Sequence, residues 1–232
     1  VIGIESQVKN VRIGNLVLTV VYAQPSHYSV RQEIYFTVRA AAGSVGSGLW
    51  KLRIIAGTVV DGSMEVWLPT SEEVTDKTHF SSPTVTDTMT IPSTSQKVIK
   101  VAGYNDLVGN IAEFSGVGNT NPALPNPDLA APAVGILTTK SGGGYDAFTG
   151  TSMAAPFVTG AAALMMEWGI VQKNDPFLYG ERLKAFLRLG AKRTPRTVYP
   201  NSTFGYGTLC LNTTMGFLER YQWGGFSIWL QG

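Results

Sequence analysis

Residues 148–164 read FTGTSMAAPFVTGAAAL, and this is the stretch of the chain whose residue types and spacing could do chemistry. Gly150 precedes two hydroxyl residues, Thr151 and Ser152, and an apolar, alanine-rich run follows them. A glycine there can take a backbone conformation closed to other residues and turn the chain sharply into a helix. Ser152 then stands exposed at the helix start. The first backbone N–H groups of a helix have no internal partner, and the helix dipole favours negative charge at that end. A serine so placed has donors for an oxyanion beside its own hydroxyl. Ala154, Ala155, Gly160, Ala161, Ala162 and Ala163 are small enough for close approach by neighbouring elements, which suits a helix in the middle of a domain. Pro156 falls in the early turns, where its missing donor has little intrahelical use. Gly-Thr-Ser alone is more often a plain helix cap, because Ser and Thr are the usual capping residues. Only the longer string is specific.

The elements that must position this helix divide into two kinds. Between residues 11 and 69 the pattern is that of four short strands, VRIGNLVLTVVY, RQEIYFTVRA, GLWKLRIIAGTV and SMEVWLP. In the second, Ile34, Phe36 and Val38 alternate with Tyr35, Thr37 and Arg39; in the fourth, Met64, Val66 and Leu68 oppose Glu65 and Trp67. Glycine-rich breaks separate the runs. This predicts an antiparallel β unit over 1–69, part of a sandwich or jelly roll, and four strands are few for a closed two-sheet structure. Residues 70–96 shift to Ser, Thr, Asp and Pro and read as a linker. From 97 to 232 the order is a short buried strand at KVIKVAGYN, a loop-rich segment 105–132, a strand around AVGILTTK, and two helices. The first helix is expected over Thr151–Trp168. The second is expected over Pro176–Leu189, with Asp175 as cap, Gly190 beyond its end, and a face of Leu183, Phe186, Leu187 and Tyr179 turned to the sheet. Strands followed by helices, with buried apolar runs, predict an α/β domain with a mainly parallel sheet and a central buried helix.

Composition narrows the functions open to the chain. It has 232 residues, 44% hydrophobic and only 15% charged, enough for a large core and too apolar for general disorder. A formal net charge of +2 gives no basic face for nucleic acid, so no such partner is expected. The longest apolar stretch, 153–166, is shorter than the roughly 20 residues a bilayer requires, so no membrane role is expected. The opening VIGIESQVKN carries no positive segment followed by an apolar run, which predicts no signal peptide and fits a fragment. The single cysteine, Cys210, excludes an internal disulfide. Asp106, Glu113, Asp128 and Asp146 sit in loops, where several oxygens could hold calcium, but no dense carboxylate loop appears and solvated acids are the plainer reading. Asn201 and Asn212 begin glycosylation sequons, relevant only to a eukaryotic secretory source. Trp223, Phe226 and Trp229 are expected to seal the core.

The string GTSMAAPFVTGAAAL resembles the serine motif of the subtilisin-like proteases, GTSMAxPHVAGxxAL, at Gly150, Thr151, Ser152, Met153, Ala154, Pro156, Val158, Gly160, Ala163 and Leu164. It departs at Phe157, where many members have a histidine that is not the catalytic base, and at Thr159. KVIKVAGYN with IAEFSGVG, PDLAAPAVGILTT and FGYGTLCL resemble the flanking segments of the same family, with Ala133 in place of a usual glycine. The likeness covers roughly 92–211, and GLWKLRIIAGTVVDGSMEVWLP with FLYGERLKAFLRLGAKR is similar to the clostridial Csp-type germination proteases, which carry a jelly-roll insertion ahead of the serine half. The resemblance implies the C-terminal half of a catalytic domain with Ser152 as nucleophile. Thr149 and Gly150 would line the first specificity pocket. It also implies a protein or peptide substrate, no required cofactor, and a secreted or spore-associated place if the subgroup holds.

The family order is Asp, His, Ser along the chain, and only the last is present. No aspartate in a D-S/T-G context or histidine in an H-G-T-H context occurs. His27 and His79 read as surface or loop histidines, and Asn105, Asn110 and Asn119 are not in the context of an oxyanion asparagine. The resemblance therefore implies a partner, either the N-terminal part of the same protease or a second copy. A catalytically inactive relative acting as a binding or signalling module is the alternative.

Overall fold

The computed structural model describes residues 7–23, 32–55, 62, 64–69, 74–75, 77–90, 92–95, 97–119 and 127–223. The chain separates into two compact units, Val1–Met64 and Glu65–Gly232.

In the first unit, β1 (Gln7–Ile13), β2 (Leu16–Ala23) and β3 (Glu33–Ala40) form an antiparallel sheet in that order. The run read as one strand from residue 11 is a hairpin, because Gly14, at φ 58°, and Asn15 make a tight two-residue turn inside it. Register aligns Val11, Leu18 and Val38 in one row and Ile13, Leu16 and Ala40 in the next, all on one face. The other face carries Asn10, Thr19 and Thr37, with the Thr19 hydroxyl donating to Asn10 Oδ1 at 2.7 Å. The expected strands at 48–59 and 63–69 form no ladder among the described residues, where Leu49 and Ile55 are almost fully exposed.

The second unit holds the buried core. β4 (Val101–Asn105) lies between the short β5 (Asn110–Ile111) and β6 (Leu129–Pro132), antiparallel to the first and parallel to the second. β6 falls inside the segment expected to be loop; its four residues LAAP are too short and too small to register as a strand, yet Leu129, Ala130 and Ala131 are fully buried. The strand expected at AVGILTTK is one arm of an exposed hairpin, β7 (Ile136–Thr139) with β8 (Tyr145–Phe148), closed by Gly142, Gly143 and Gly144 at φ 82°, 95° and 80°. Residues 87–89 of the expected linker belong to this unit, since Thr88 and Val117 exchange hydrogen bonds through Thr88 N–H to Val117 O and Val117 N–H to Thr88 Oγ1, both 2.8 Å.

Helix α1 (Thr151–Met166) begins where expected and continues as a π-helical turn over Glu167–Val171. The uninterrupted helix is thus 21 residues, long and apolar enough by composition to cross a membrane, and longer than the stretch expected from sequence. It packs instead on β4 and β6, burying Ala154, Val158, Ala161 and Met165 at helical spacing. Helix α2 (Gly180–Gly190) starts four residues later than expected, because Asp175 caps a separate turn by accepting the Phe177 N–H at 3.2 Å. Leu183, Phe186 and Leu187 are buried as expected, whereas Tyr179 is exposed. Their face meets α3 (Leu211–Trp223), a helix the sequence pattern did not single out. Gly190 is the last residue of α2 rather than a residue beyond it, and a side chain there would overlap Thr214 of α3.

Candidate active site

The turn into α1 is built from the ends of two parallel strands. Gly150 has φ 153° and ψ 161°, a region essentially reserved for glycine, and its N–H donates to the Ala133 carbonyl just past β6 at 2.9 Å. Ala133 N–H in turn donates to Tyr104 O on β4 at 2.9 Å. Gly103, beside it on β4, has no room for a side chain, since a Cβ would stand 2.7 Å from the Ala133 methyl and 3.3 Å from Thr151 Cγ2. The Ala133 methyl thus fills the space that Gly103 leaves. The buried Ser115 hydroxyl accepts the Gly103 N–H at 3.0 Å and fixes that strand from its other side. The Thr149 hydroxyl oxygen accepts the Gly135 N–H at 2.9 Å, joining the last residue before the turn to the base of the β7–β8 hairpin.

Ser152 is exposed at the second position of α1, two residues before the fully buried Ala154. Its N–H belongs to the group of helix donors without intrahelical partners, so hydroxyl and free donor come from one residue. Met153 N–H closes the first turn onto Gly150 O at 3.0 Å. No acidic residue stands in the first turn of α1 to compete for those donors. Tyr104, which supports the platform, has its phenol pushed above the ordinary range by burial and then by the charge of Asp106, so it stays neutral at physiological pH.

This arrangement belongs to a known family. The model described as the subtilase family, Peptidase S8, matches residues 38–207. The chain belongs to the subtilase family. This subtilase is similar to the solved CspB protease of Clostridium perfringens, with 35% identity, a TM-score of 0.70, and coverage of 94% of this chain and 46% of that one. It is 37% identical over 109 residues to the intracellular serine protease of Paenibacillus polymyxa, covering 45% of this chain and 31% of the relative. It is 41% identical over 88 residues to the subtilisin-like protease SBT3.5 of Arabidopsis thaliana, covering 32% and 11%. The chain therefore spans less than half the length of each of these relatives. The family match extends upstream of the roughly 92–211 read from sequence, into β3.

The remaining candidates do not converge on Ser152. His27 lies outside the described residues. His79 is exposed, with Nδ1 2.9 Å from Lys77 O. Asn105 Oδ1 accepts the Leu107 N–H at 3.1 Å and Asn110 is paired with Asn105 in the β4–β5 ladder, so both serve the turn between those strands. Asp128 departs furthest from the expectation. It is no solvated loop acid but fully buried: Oδ2 accepts the Lys100 N–H at 2.7 Å and lies 3.3 Å from Lys184 Nζ, while Oδ1 accepts Arg188 Nε at 2.9 Å and also meets its Nη2. Burial lowers the Lys100 pKa against the opposing pull of Asp128. Asp146 is in an exposed ion pair with Lys140 at 3.6 Å, Asp106 and Glu113 are exposed, and no cluster of three potential metal ligands occurs among the described residues. Asn201 is a turn residue: its Oδ1 accepts Thr203 N–H and Phe204 N–H at 3.1 and 2.8 Å and its Nδ2 donates to Val198 O at 2.9 Å. Asn212 is exposed on α3. Trp223 ends α3, and Phe226 and Trp229 lie outside the described residues.

Sequence reasoning placed Asp128 among solvated loop acids and missed Gly103 and the Ala133 carbonyl. Asp128 and Lys100 are 28 residues apart and Asp128 and Arg188 are 60 apart, separations at which no local pattern carries a signal.

Proposed function

We propose that the protein containing this chain is a serine endopeptidase that cleaves peptide bonds through an acyl-enzyme at Ser152. The observation that carries this reading is the exposed Ser152 at the start of a core helix, fixed by the Gly150 turn and its bond to Ala133. Ser152 Oγ attacks the scissile carbonyl carbon and its proton passes to a histidine supplied from outside this chain, which an aspartate orients. The carbonyl oxygen becomes an oxyanion held by the Ser152 N–H and by an asparagine amide from the same missing part. Collapse of that intermediate expels the amine, which takes the proton from the histidine; water then hydrolyses the acyl-enzyme by the same route. The chemistry requires no cofactor or metal. Thr149 and Gly150 form one edge of the substrate channel at the nucleophile. We read 97–232 as the C-terminal half of the catalytic domain and the β unit before it as part of an inserted jelly-roll domain, with the upstream half of the same protease as partner.

A fluorophosphonate probe tests the nucleophile, because it reacts only with an activated serine beside an oxyanion site. The full-length protein is expected to label at Ser152, and Ser152→Ala to abolish labelling. A folded full-length protein that labels elsewhere, or not at all, would sink the assignment.

A further inference from the structure

Gly103 on β4 lies against the nucleophile turn, and one of the two bonds that hold its backbone from the β5 side comes from a side chain. A Cβ at Gly103 would stand 3.3 Å from Thr151 Cγ2 and 2.7 Å from the Ala133 methyl. This residue therefore supports both the neighbour of Ser152 and the residue whose carbonyl accepts the Gly150 N–H. The β4–β5 register, with Tyr104 opposite Ile111, places Ala112 opposite Gly103, where an antiparallel pair would exchange two backbone hydrogen bonds. Half of that exchange is made: Ala112 N–H donates to Gly103 O at 3.0 Å. The Ala112 carbonyl instead accepts the Ser115 N–H at 2.9 Å. The buried Ser115 hydroxyl supplies the other acceptor, taking the Gly103 N–H at 3.0 Å.

We propose that Ser115 is a positioning residue for the nucleophile, its hydroxyl clamping Gly103 so that Thr151 and Ala133 hold Ser152 in place. A buried N–H without an acceptor is costly, so loss of the hydroxyl drives Gly103 toward another partner. Protein interiors are close-packed, and a shift of Gly103 passes to the Thr151 and Ala133 methyls that lie against it. From Ala133 it reaches the Gly150 turn through their hydrogen bond. Misplacement of a reacting group by ~1 Å can cost about 100-fold in rate, so a side chain three links away still matters. The proposal rests on the reading of Ser152 as the nucleophile.

Fluorophosphonate labelling kinetics of the full-length protein test this, at a temperature where every variant is folded. Ser115→Ala is expected to lower the maximal labelling rate roughly 10- to 100-fold and leave the half-saturating probe concentration unchanged. Gly190→Ala is the control: it strains the packing of α2 on α3, and it is expected to lose stability yet label at the wild-type rate. A wild-type rate for Ser115→Ala, or equal slowing of Gly190→Ala, would overturn the proposal. If Ser115→Ala does not fold, Ser115→Cys, which fills the same space with a weaker acceptor, is read against the same criteria. Amide exchange separates the clamp from the peptidase reading. Ser115→Ala is expected to speed exchange at Gly150 roughly 10-fold while Phe186 and Leu187 keep their wild-type rates. Unchanged exchange at Gly150 would overturn the clamp even in a protein that labels. A wild-type protein that never labels would instead sink the peptidase reading, with exchange at Gly150 still deciding whether Ser115 holds the turn.

Discussion

In the unit 65–232, apolar residues from strands and helices meet in one core and no buried side-chain polar atom among the described residues lacks a partner, whereas in the unit 1–64 the buried apolar residues among those described are Val20 and Tyr22 of β2. The difference is not one of strand quality. β1, β2 and β3 pair over seven or eight residues each, longer than any strand of the second unit. What separates the units is layering: α1 covers β4 and β6, and α2 and α3 cover one another, while among the described residues of the unit 1–64 no helix occurs. Ladder hydrogen bonds fix register, but burial of a face supplies most of the stabilisation.

The comparison breaks most sharply at Asp128. Its carboxylate is the shared acceptor for the buried Lys184 and the part-exposed Arg188, so Asp128→Ala leaves both cations without their counter-charge. Breaking a buried pair by removing one partner costs about 3–5 kcal/mol, a large share of a domain's stability. Urea denaturation is expected to show early loss of the helical signal of the second unit, with β1–β3 exchange unaltered. Unfolding of both units together would show that they are one cooperative body.

Next in size are packing substitutions. Leu187 is 1% exposed between α2 and α3, and Leu187→Ala is expected to cost about 2–5 kcal/mol. Gly190→Ala forces a methyl into Thr214 and is expected to cost about 1–3 kcal/mol. Chemical denaturation of each variant sharpens the contrast with Phe36→Ser in the same 232-residue chain, where an exposed site predicts a change within about 0.5 kcal/mol.

These sites also show what the sequence could convey. The nucleophile turn was legible because it is local: glycine, hydroxyl and small residues stand in one run, and α1 starts at the expected residue. The α2 core face was legible from period alone. The hairpin at Gly14–Asn15 was missed because apolar residues flank it closely on both sides and mask the turn. Asp175 misled because an aspartate before a proline suits a separate capped turn as well as a helix start, and the buried Leu178 fixes the turn here. The Asp128 centre depends on partners brought together only by the fold.

A smaller effect is expected at Cys210. The Thr213 hydroxyl, 3.1 Å from the thiol, together with the Thr213 backbone, holds the Cys210 pKa below its usual value against a weak opposing effect of burial. Alkylation of Cys210 by iodoacetamide is therefore expected to approach its plateau at lower pH than that of a free cysteine, because the thiolate is the reactive form. Thr213→Val removes the donor and should move the midpoint upward. An unchanged midpoint would assign the shift to the helix backbone instead.

A small change in stability is expected at Thr149, where it separates positioning from folding. The Thr149 oxygen accepts the Gly135 N–H at 2.9 Å, and both residues are exposed, so water can take the place of the bond when Thr149→Val removes the acceptor. The net worth of such a bond is about 0.5–1.5 kcal/mol, near the lower end at an exposed site. Unfolding of unit 65–232 should shift within that range. The turn, however, loses its tie to the base of the hairpin while keeping the Gly150–Ala133 bond, so Ser152 is held from one side instead of two. If that looseness enters the labelling barrier in full, the same energy corresponds to a roughly 2- to 10-fold slower reaction with the fluorophosphonate. Thr149→Ser restores the acceptor and should restore the rate. A Thr149→Val protein that labels at the wild-type rate would mean that the Ala133 carbonyl alone fixes the nucleophile, and the hairpin contact would then be a surface detail of the fold.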